Sequence, residues 1–218
     1  MDKLYIEGGK PLKGSIEISG SKNAALPIIV ATLLAKGISS IKNVPHLQDV
    51  FTLLQLMEHL GAAHEWDGNA LQIDTRNIRS QEAPYEIVKK MRASFYVAAP
   101  LLSHYHFAKV SQPGGCAIGP RPVNLHLKAF ERLGAHIKME EGYVIAQAKR
   151  LKGNIIFFDN ISVGATCNAL MAAVLASGTT ILEHCACEPE VGNLIEVLAL
   201  MGAKIEGKGT PRLIIEGV

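Results

Sequence analysis

The run Pro113-Gly114-Gly115-Cys116-Ala117-Ile118-Gly119-Pro120-Arg121-Pro122-Val123-Asn124 sets one thiol among three glycines, with an arginine five residues on, held between two prolines. Glycine lets backbone amides approach a ligand closely, and proline stiffens the excursion. A thiol near fixed positive charge is biased toward thiolate and serves as nucleophile or proton carrier. An arginine fork suits carboxylate or phosphate. These residues describe a rigid loop holding a reactive cysteine beside an anion; a small buried hydrophobe in a Gly-rich turn is the plain alternative. Further polar groups open apolar, small-residue stretches: Lys22 and Asn23 within Ser21–Ala24, Arg92 within Met91–Ser94, and Ser162-Val163-Gly164. Lys22 in that apolar context points to a ligand. Arg92 either binds one or covers a helix end with its stem buried.

The elements that must position these groups are written three times. Leu60-Gly61-Ala62-Ala63, Leu133-Gly134-Ala135-His136 and Met201-Gly202-Ala203-Lys204 recur at intervals of 73 residues (61 to 134) and 68 residues (134 to 202). Each follows an amphipathic stretch (Asp49 to His59, Val123 to Arg132, Val191 to Leu200). Each precedes two short strands that close on Ala70–Ile73, Tyr143–Ala146 and Arg212–Ile215. Upstream in each copy lies a helix apolar nearly all round, and therefore buried: Ser21 to Ala35, Met91 to Leu102, Ser162 to Ala176. Pro27 is placed in the opening turn of the first, where a missing amide costs little. A strand such as Ile38–Ile41 follows each. The unit reads strand, buried helix, strand, amphipathic helix, strand, strand, and repetition at this period implies stacked units sharing one core. Threefold stacking places the buried helices centrally and brings their N-termini, with unpaired amides and positive dipole ends, to one anion site.

Composition narrows the function classes. The 218 residues are 48% hydrophobic and 19% charged, with 22 basic against 20 acidic side chains and a net charge of +2. That balance fits a packed enzyme and gives no electrostatic case for nucleic acid or an anionic membrane. The opening Met1–Ile6 has no signal-peptide pattern, and the apolar run from Ala24 to Ala35 is too short to span a bilayer, so a cytoplasmic protein is expected. Cysteines at 116, 167, 185 and 187 form no disulfide framework. His184-Cys185-Ala186-Cys187 lacks a second ligand pair and reads as a strand end, so no metal is expected there. His104 and His106 are placed on a strand face, and His126 on a helix side.

Gly20-Ser21-Lys22-Asn23-Ala24-Ala25-Leu26-Pro27, Met91-Arg92-Ala93-Ser94, the Gly-Gly-Cys-Ala-Ile-Gly loop, Ser162-Val163-Gly164-Ala165-Thr166 and Glu188-Pro189-Glu190 occur together and in order. Taken as a set, they resemble the UDP-N-acetylglucosamine enolpyruvyl transferase family over the whole chain. The resemblance implies an α/β (α+β) fold, an inside-out α/β barrel domain of three such repeats around buried helices. The repeats run over approximately 21–75, 85–147 and 151–217. It implies transfer of the enolpyruvyl group of phosphoenolpyruvate to the sugar's 3-hydroxyl with release of phosphate, the first committed step of peptidoglycan synthesis, without metal or organic cofactor. Cys116 matches the family's general acid, which also forms the phosphoenolpyruvate adduct and is the target of fosfomycin. Lys22, Asn23 and Arg121 match positions that hold phosphoenolpyruvate. Arg92, Arg121, Pro122, Val123, Asn124, Leu125, Asn160, Ile161, Ser162, Val163 and Gly164 match those that hold UDP-N-acetylglucosamine. Asn160 replaces a lysine of some members, Asn124 an aspartate, Cys187 an arginine and Pro120 a smaller residue. Family members carry a second, similar domain with the catalytic aspartate base. By this resemblance residues 1–20 are a strand segment belonging to that missing domain, 21–218 are one transferase domain, and the chain alone is inactive.

Three competing functions follow from the same residues. A non-catalytic nucleotide-sugar-binding domain would keep the anion site with an inert Cys116. A sister enzyme acting on shikimate phosphate shares the fold but does not use such a cysteine. Thiol redox chemistry would run through Cys185 and Cys187.

Overall fold

Three glycines end three helices in the same way. Gly61, Gly134 and Gly202 have φ of 110°, 93° and 103°, a left-handed conformation that costs glycine nothing. In each copy the next residue's amide (Ala62, Ala135, Ala203) reaches five residues back, to Met57, Phe130 and Leu198. This is the Schellman closure of an α-helix. The helices so ended are α2 (Gln48–Leu60), α5 (Asn124–Arg132) and α7 (Pro189–Leu200). The computed structural model describes residues 3–112 and 123–218.

Each copy also has an inner helix: α1 (Lys22–Ala31), α4 (Ala98–Tyr105), preceded by the short α3 (Tyr85–Val88), and α6 (Val163–Ala173). They are buried along nearly their whole length, as expected for segments apolar all round. α1 packs on α2, α7 and the turn that opens the second copy, and α4 and α6 pack on each other. Sheets flank this helical interior. The first contains β1 (Ile38–Ile41), β2 (Ala63–Asp67) and β3 (Ala70–Asp74), in the order β1-β3-β2. The second contains β4 (Glu82–Ala83), β5 (Phe107–Ser111), β6 (His136–Glu140) and β7 (Tyr143–Gln147), in the order β4-β5-β7-β6. The third contains β8 (Ile155–Phe157), β9 (Thr179–Glu183), β10 (Lys204–Glu206) and β11 (Arg212–Glu216), in the order β10-β11-β9-β8. β4 pairs parallel with β5 and β8 parallel with β9. The strand that follows each inner helix also pairs antiparallel with the last strand of its unit. With helices inside and sheets outside, this is the inside-out α/β arrangement.

Several boundaries differ from the sequence reading. The second inner segment opens as a 3-10 turn over Arg92–Val97 and runs on to Tyr105. Pro100, in the first turn of α4, has no amide to give the Tyr96 carbonyl, so the α ladder starts only at Ala98. His104 therefore lies in the last turn of α4, and His106 caps it at φ 63°, so neither is on a strand face. The first inner helix passes into a 3-10 turn at Thr32–Leu34, and the third stops at Ala173. Pro27 stands in the second turn of α1, beyond the free first-turn amides, so it removes an intrahelical hydrogen bond. α7 begins two residues before Val191 because Pro189 is preset for the first helical position. Among the described residues the first sheet has three strands. Residues 3–19, where its parallel strand would lie, carry no helix or strand and are exposed almost throughout.

Candidate active site

The residues preceding α1, the Arg92–Val97 turn and α6 are Ser21, Met91 and Ser162, all extended. The Ser162 hydroxyl accepts from the Ala165 amide at 3.3 Å and caps α6. All three openings face one cavity of about 560 Å³, and the first turns of α2, α5 and α7 reach it through Asp49, His126 and Glu190. Six helical N-termini thus ring one space, each with unpaired amides and positive dipole character. Lys22 and Arg92 bring full positive charges to this space, and Asp49 and Glu190 bring two carboxylates.

Of the residues expected from sequence, Lys22, Asn23, Arg92, Val123, Ser162, Val163 and Gly164 line the cavity together. Asn124 is exposed at the start of α5, Leu125 packs partly against the core, and Asn160 and Ile161 lie in the exposed approach to α6; none of these four lines it. Cys116, Arg121 and Pro122 lie outside the described residues. Asp49, Tyr96, His126 and Glu190 were missed. For two of them the signal was present: Asp49 and Glu190 each stand twelve residues before the repeated glycine, at 61 and 202. Tyr96 and His126 carry no such mark, because their placement depends on contacts between copies.

Lys22 Nζ lies 2.7 Å from Asp49 Oδ2, both side chains being about two-fifths exposed. Such a pair is worth about 1 kcal/mol or less, so it ties Lys22 down only weakly. His126 is buried, edge-on to Phe95 with ring centroids 5.3 Å apart, and its Nδ1 is 2.8 Å from Asn168 Nδ2. Burial, with the Arg92 charge nearby, holds the imidazole down at about 3, so it is neutral. Tyr96 and Cys167 share a hydrogen bond; burial drives the phenol well above its usual range and the thiol up to about 12. Cys167 is therefore a packing group and not a nucleophile.

Cys185 and Cys187 stand in different settings. Cys185 is buried, and burial, with Cys187 and Glu183 adding, pushes its thiol up to about 12. Cys187 is exposed and donates to the Cys185 carbonyl at 3.7 Å, while His184 Nδ1 is held by the Phe158 carbonyl at 2.7 Å. Among the described residues no group of three or more His, Cys, Asp or Glu is placed to hold a metal ion. Nor is any helix among them long and apolar enough to cross a membrane.

Comparison with known proteins places this geometry. Residues 6–218 match the family model of EPSP synthase (3-phosphoshikimate 1-carboxyvinyltransferase). The UDP-N-acetylglucosamine 1-carboxyvinyltransferase of Geobacter metallireducens is 53% identical over 218 residues, and that of Chlorobium luteolum 56% over 220. Each match takes in 100% of this chain and 52% of the relative. The chain spans about half the length of the curated relatives it matches. Among solved structures, the enolpyruvyl transferase NikO from Streptomyces tendae is similar, with a TM-score of 0.83 at 26% identity, over 97% of this chain and 50% of that one. An EPSP synthase from Acinetobacter baumannii shares the fold, with a TM-score of 0.77 at 19% identity over 96% of this chain and 48% of that one.

Proposed function

The chain belongs to the EPSP synthase family, and from that premise we propose that it forms one wall of a UDP-N-acetylglucosamine 1-carboxyvinyltransferase. The observation that carries this reading is the convergence of Lys22, Arg92 and the Ser162–Gly164 turn on one cavity ringed by helix N-termini. Both substrates are polyanions: phosphoenolpyruvate has a carboxylate and a phosphate close together, and the nucleotide sugar a diphosphate. The relatives named for this activity, at 53% and 56% identity, favour the nucleotide sugar over shikimate phosphate as acceptor.

In the reaction the sugar's 3-hydroxyl adds to the enolpyruvyl carbon while the methylene carbon takes a proton; loss of that proton then expels phosphate. Lys22, Asn23 and Arg121 hold phosphoenolpyruvate. Arg92, the 121–125 run and the 160–164 turn hold the nucleotide sugar, and Cys116 supplies the proton. The second wall and the base that accepts the 3-hydroxyl proton come from the other half, to which residues 1–20 lend a strand. The protein then works in the cytoplasm at the entry to peptidoglycan synthesis, and fosfomycin alkylates Cys116.

The test is the intact mass of this chain mixed with a downstream half, UDP-N-acetylglucosamine and fosfomycin, beside a Cys116→Ser control. One adduct that maps to residue 116 and requires both the sugar nucleotide and the other half is expected. Nucleotide-sugar binding with no adduct would instead make this a binding domain without catalysis.

A further inference from the structure

Asn168 lies in α6 behind the cavity wall and is fully buried. Its Nδ2 makes two hydrogen bonds, at 3.2 Å to the Phe95 carbonyl and at 2.8 Å to His126 Nδ1. Its Oδ1 has no hydrogen-bond partner among the described residues. A backbone carbonyl only accepts, so Phe95 decides which end of the amide is the nitrogen. The second N–H then meets a ring nitrogen that must offer a lone pair, which leaves the proton of the neutral imidazole on Nε2. An unsatisfied buried oxygen is costly. Reversing the amide does not cure the cost, because it sets that oxygen against the Phe95 oxygen.

The protonated edge of the ring meets the opening of α6. A Cβ placed on Gly164 would lie 3.2 Å from His126 Cε1 and 3.3 Å from Nε2. His126 and Gly164 line the same cavity, beside Lys22 from α1, Asp49 from α2, Arg92 and Tyr96 from the 3-10 turn, and Glu190 from α7. The sequence places His126 on a helix side and Asn168 within the third apolar segment, with no role at the site for either.

We propose that Asn168 is a positioning residue that holds His126 as a neutral Nε2–H donor, directed together with the opening amides of α6 at a phosphate-type oxygen of the bound ligand. The identity of that ligand as a nucleotide sugar rests on the function proposed above; the tautomer does not. With the proton on Nδ1 instead, the Nε2 lone pair would face the anion and repel it. The depressed basicity of the buried ring agrees with a donor that stays uncharged beside Arg92. Asn168 thereby sets the sign of the interaction without touching the ligand.

The test is side-chain nitrogen NMR of the 218-residue chain, with titrations of pyrophosphate and UDP-N-acetylglucosamine into it and into Asn168→Ala. The expected result is an unprotonated Nδ1 and a protonated Nε2 at residue 126, unchanged from about pH 5 to 8. In the variant the tautomers mix and both ligands bind about tenfold more weakly. An Nδ1–H tautomer or an imidazolium in the parent chain overturns the proposal, and needs no variant to fold. So does a folded Asn168→Ala that keeps both tautomer and affinity, or a parent chain that binds neither probe. A parent with the Nε2–H tautomer that binds pyrophosphate but not the nucleotide sugar upholds the positioning role and sinks the substrate reading.

Discussion

At the scale of single residues, His126 links the site to stability. Its ordinary value is 6.5, and in the fold it is held at about 3, first by burial and then by Arg92. Below pH 6.5 the unfolded chain takes up a proton that the folded chain refuses, so stability falls as pH drops, by about 1.4 kcal/mol per pH unit. Between pH 7 and pH 5 this one group should cost about 2 kcal/mol. Urea denaturation at both pH values should therefore show His126→Gln losing about 2 kcal/mol less than the parent; equal losses would mean that the imidazole is solvated. Gly164 gives a second expectation. An alanine methyl at 3.2–3.3 Å from the ring edge is tighter than ordinary contact, so Gly164→Ala must push the imidazole back from the cavity. Anion binding by calorimetry should weaken about tenfold while stability drops only about 1 kcal/mol. The place of Lys22, Arg92 and Ser162 on one cavity was legible in the sequence because each is a polar group that opens an apolar segment. His126 and Asn168 were not, since each is an ordinary helix residue until the fold sets them 2.8 Å apart across 42 positions.

At the scale of elements, the same three glycines that revealed the repeat carry its testable energetics. All are left-handed, so alanine strains each backbone by about 1 kcal/mol. Their surroundings differ. A Cβ on Gly134 or Gly202 meets nothing within 4 Å, whereas on Gly61 it would lie 2.5 Å from the Asn77 carbonyl oxygen. Thermal or urea unfolding should rank Gly134→Ala and Gly202→Ala near 1 kcal/mol and Gly61→Ala clearly higher, about 2 kcal/mol or more. Equal costs at all three would show that the 77–79 loop yields freely. The repeat order, the strands opening at Ile38, Ala70, Tyr143 and Arg212, and the convergence of helix N-termini were all readable, because period, turn glycines and apolar faces are local signals. What was not readable lay where prolines act on hydrogen bonds. Pro100 shifts the second inner helix into a 3-10 start, and Pro27 sits a turn deeper than its spacing implied.

At the scale of the whole molecule, the surface is too large for its mass. A compact monomer of 23.5 kDa exposes roughly 9,800 Å², whereas this chain exposes 12060 Å². Residues 3–19 are exposed: Leu12 is 97% exposed and Ile18 80%, and Leu4, Tyr5, Ile6 and Ile16 lie between. The segment departs from Gly20, whose amide is held by Asn43 Oδ1 at 3.0 Å and whose missing Cβ would collide with the Asn43 carbonyl. Nearby, β1 has no neighbour among the described residues on the edge where the second and third sheets place β4 and β8. The groove beside it, about 380 Å³, is lined by Ser39, Ser40, Ile41 and Lys42 from the β1 stretch and by Val197 and Leu200 from α7. Two fates for the segment are thus physically open, and one deletion separates them. If residues 1–19 serve the other half of the enzyme, removing them leaves the thermal midpoint within about 2 °C of the parent, since a change of 1 kcal/mol moves a domain of this size by roughly 2–4 °C. The same deletion then abolishes the product that the parent chain forms only when mixed with a downstream half. A midpoint lower by more than about 4 °C would place the segment along β1 as the first sheet's fourth strand. The exposed isoleucines would then mark an edge that closes within this unit, and the other half would have to complete its own sheets.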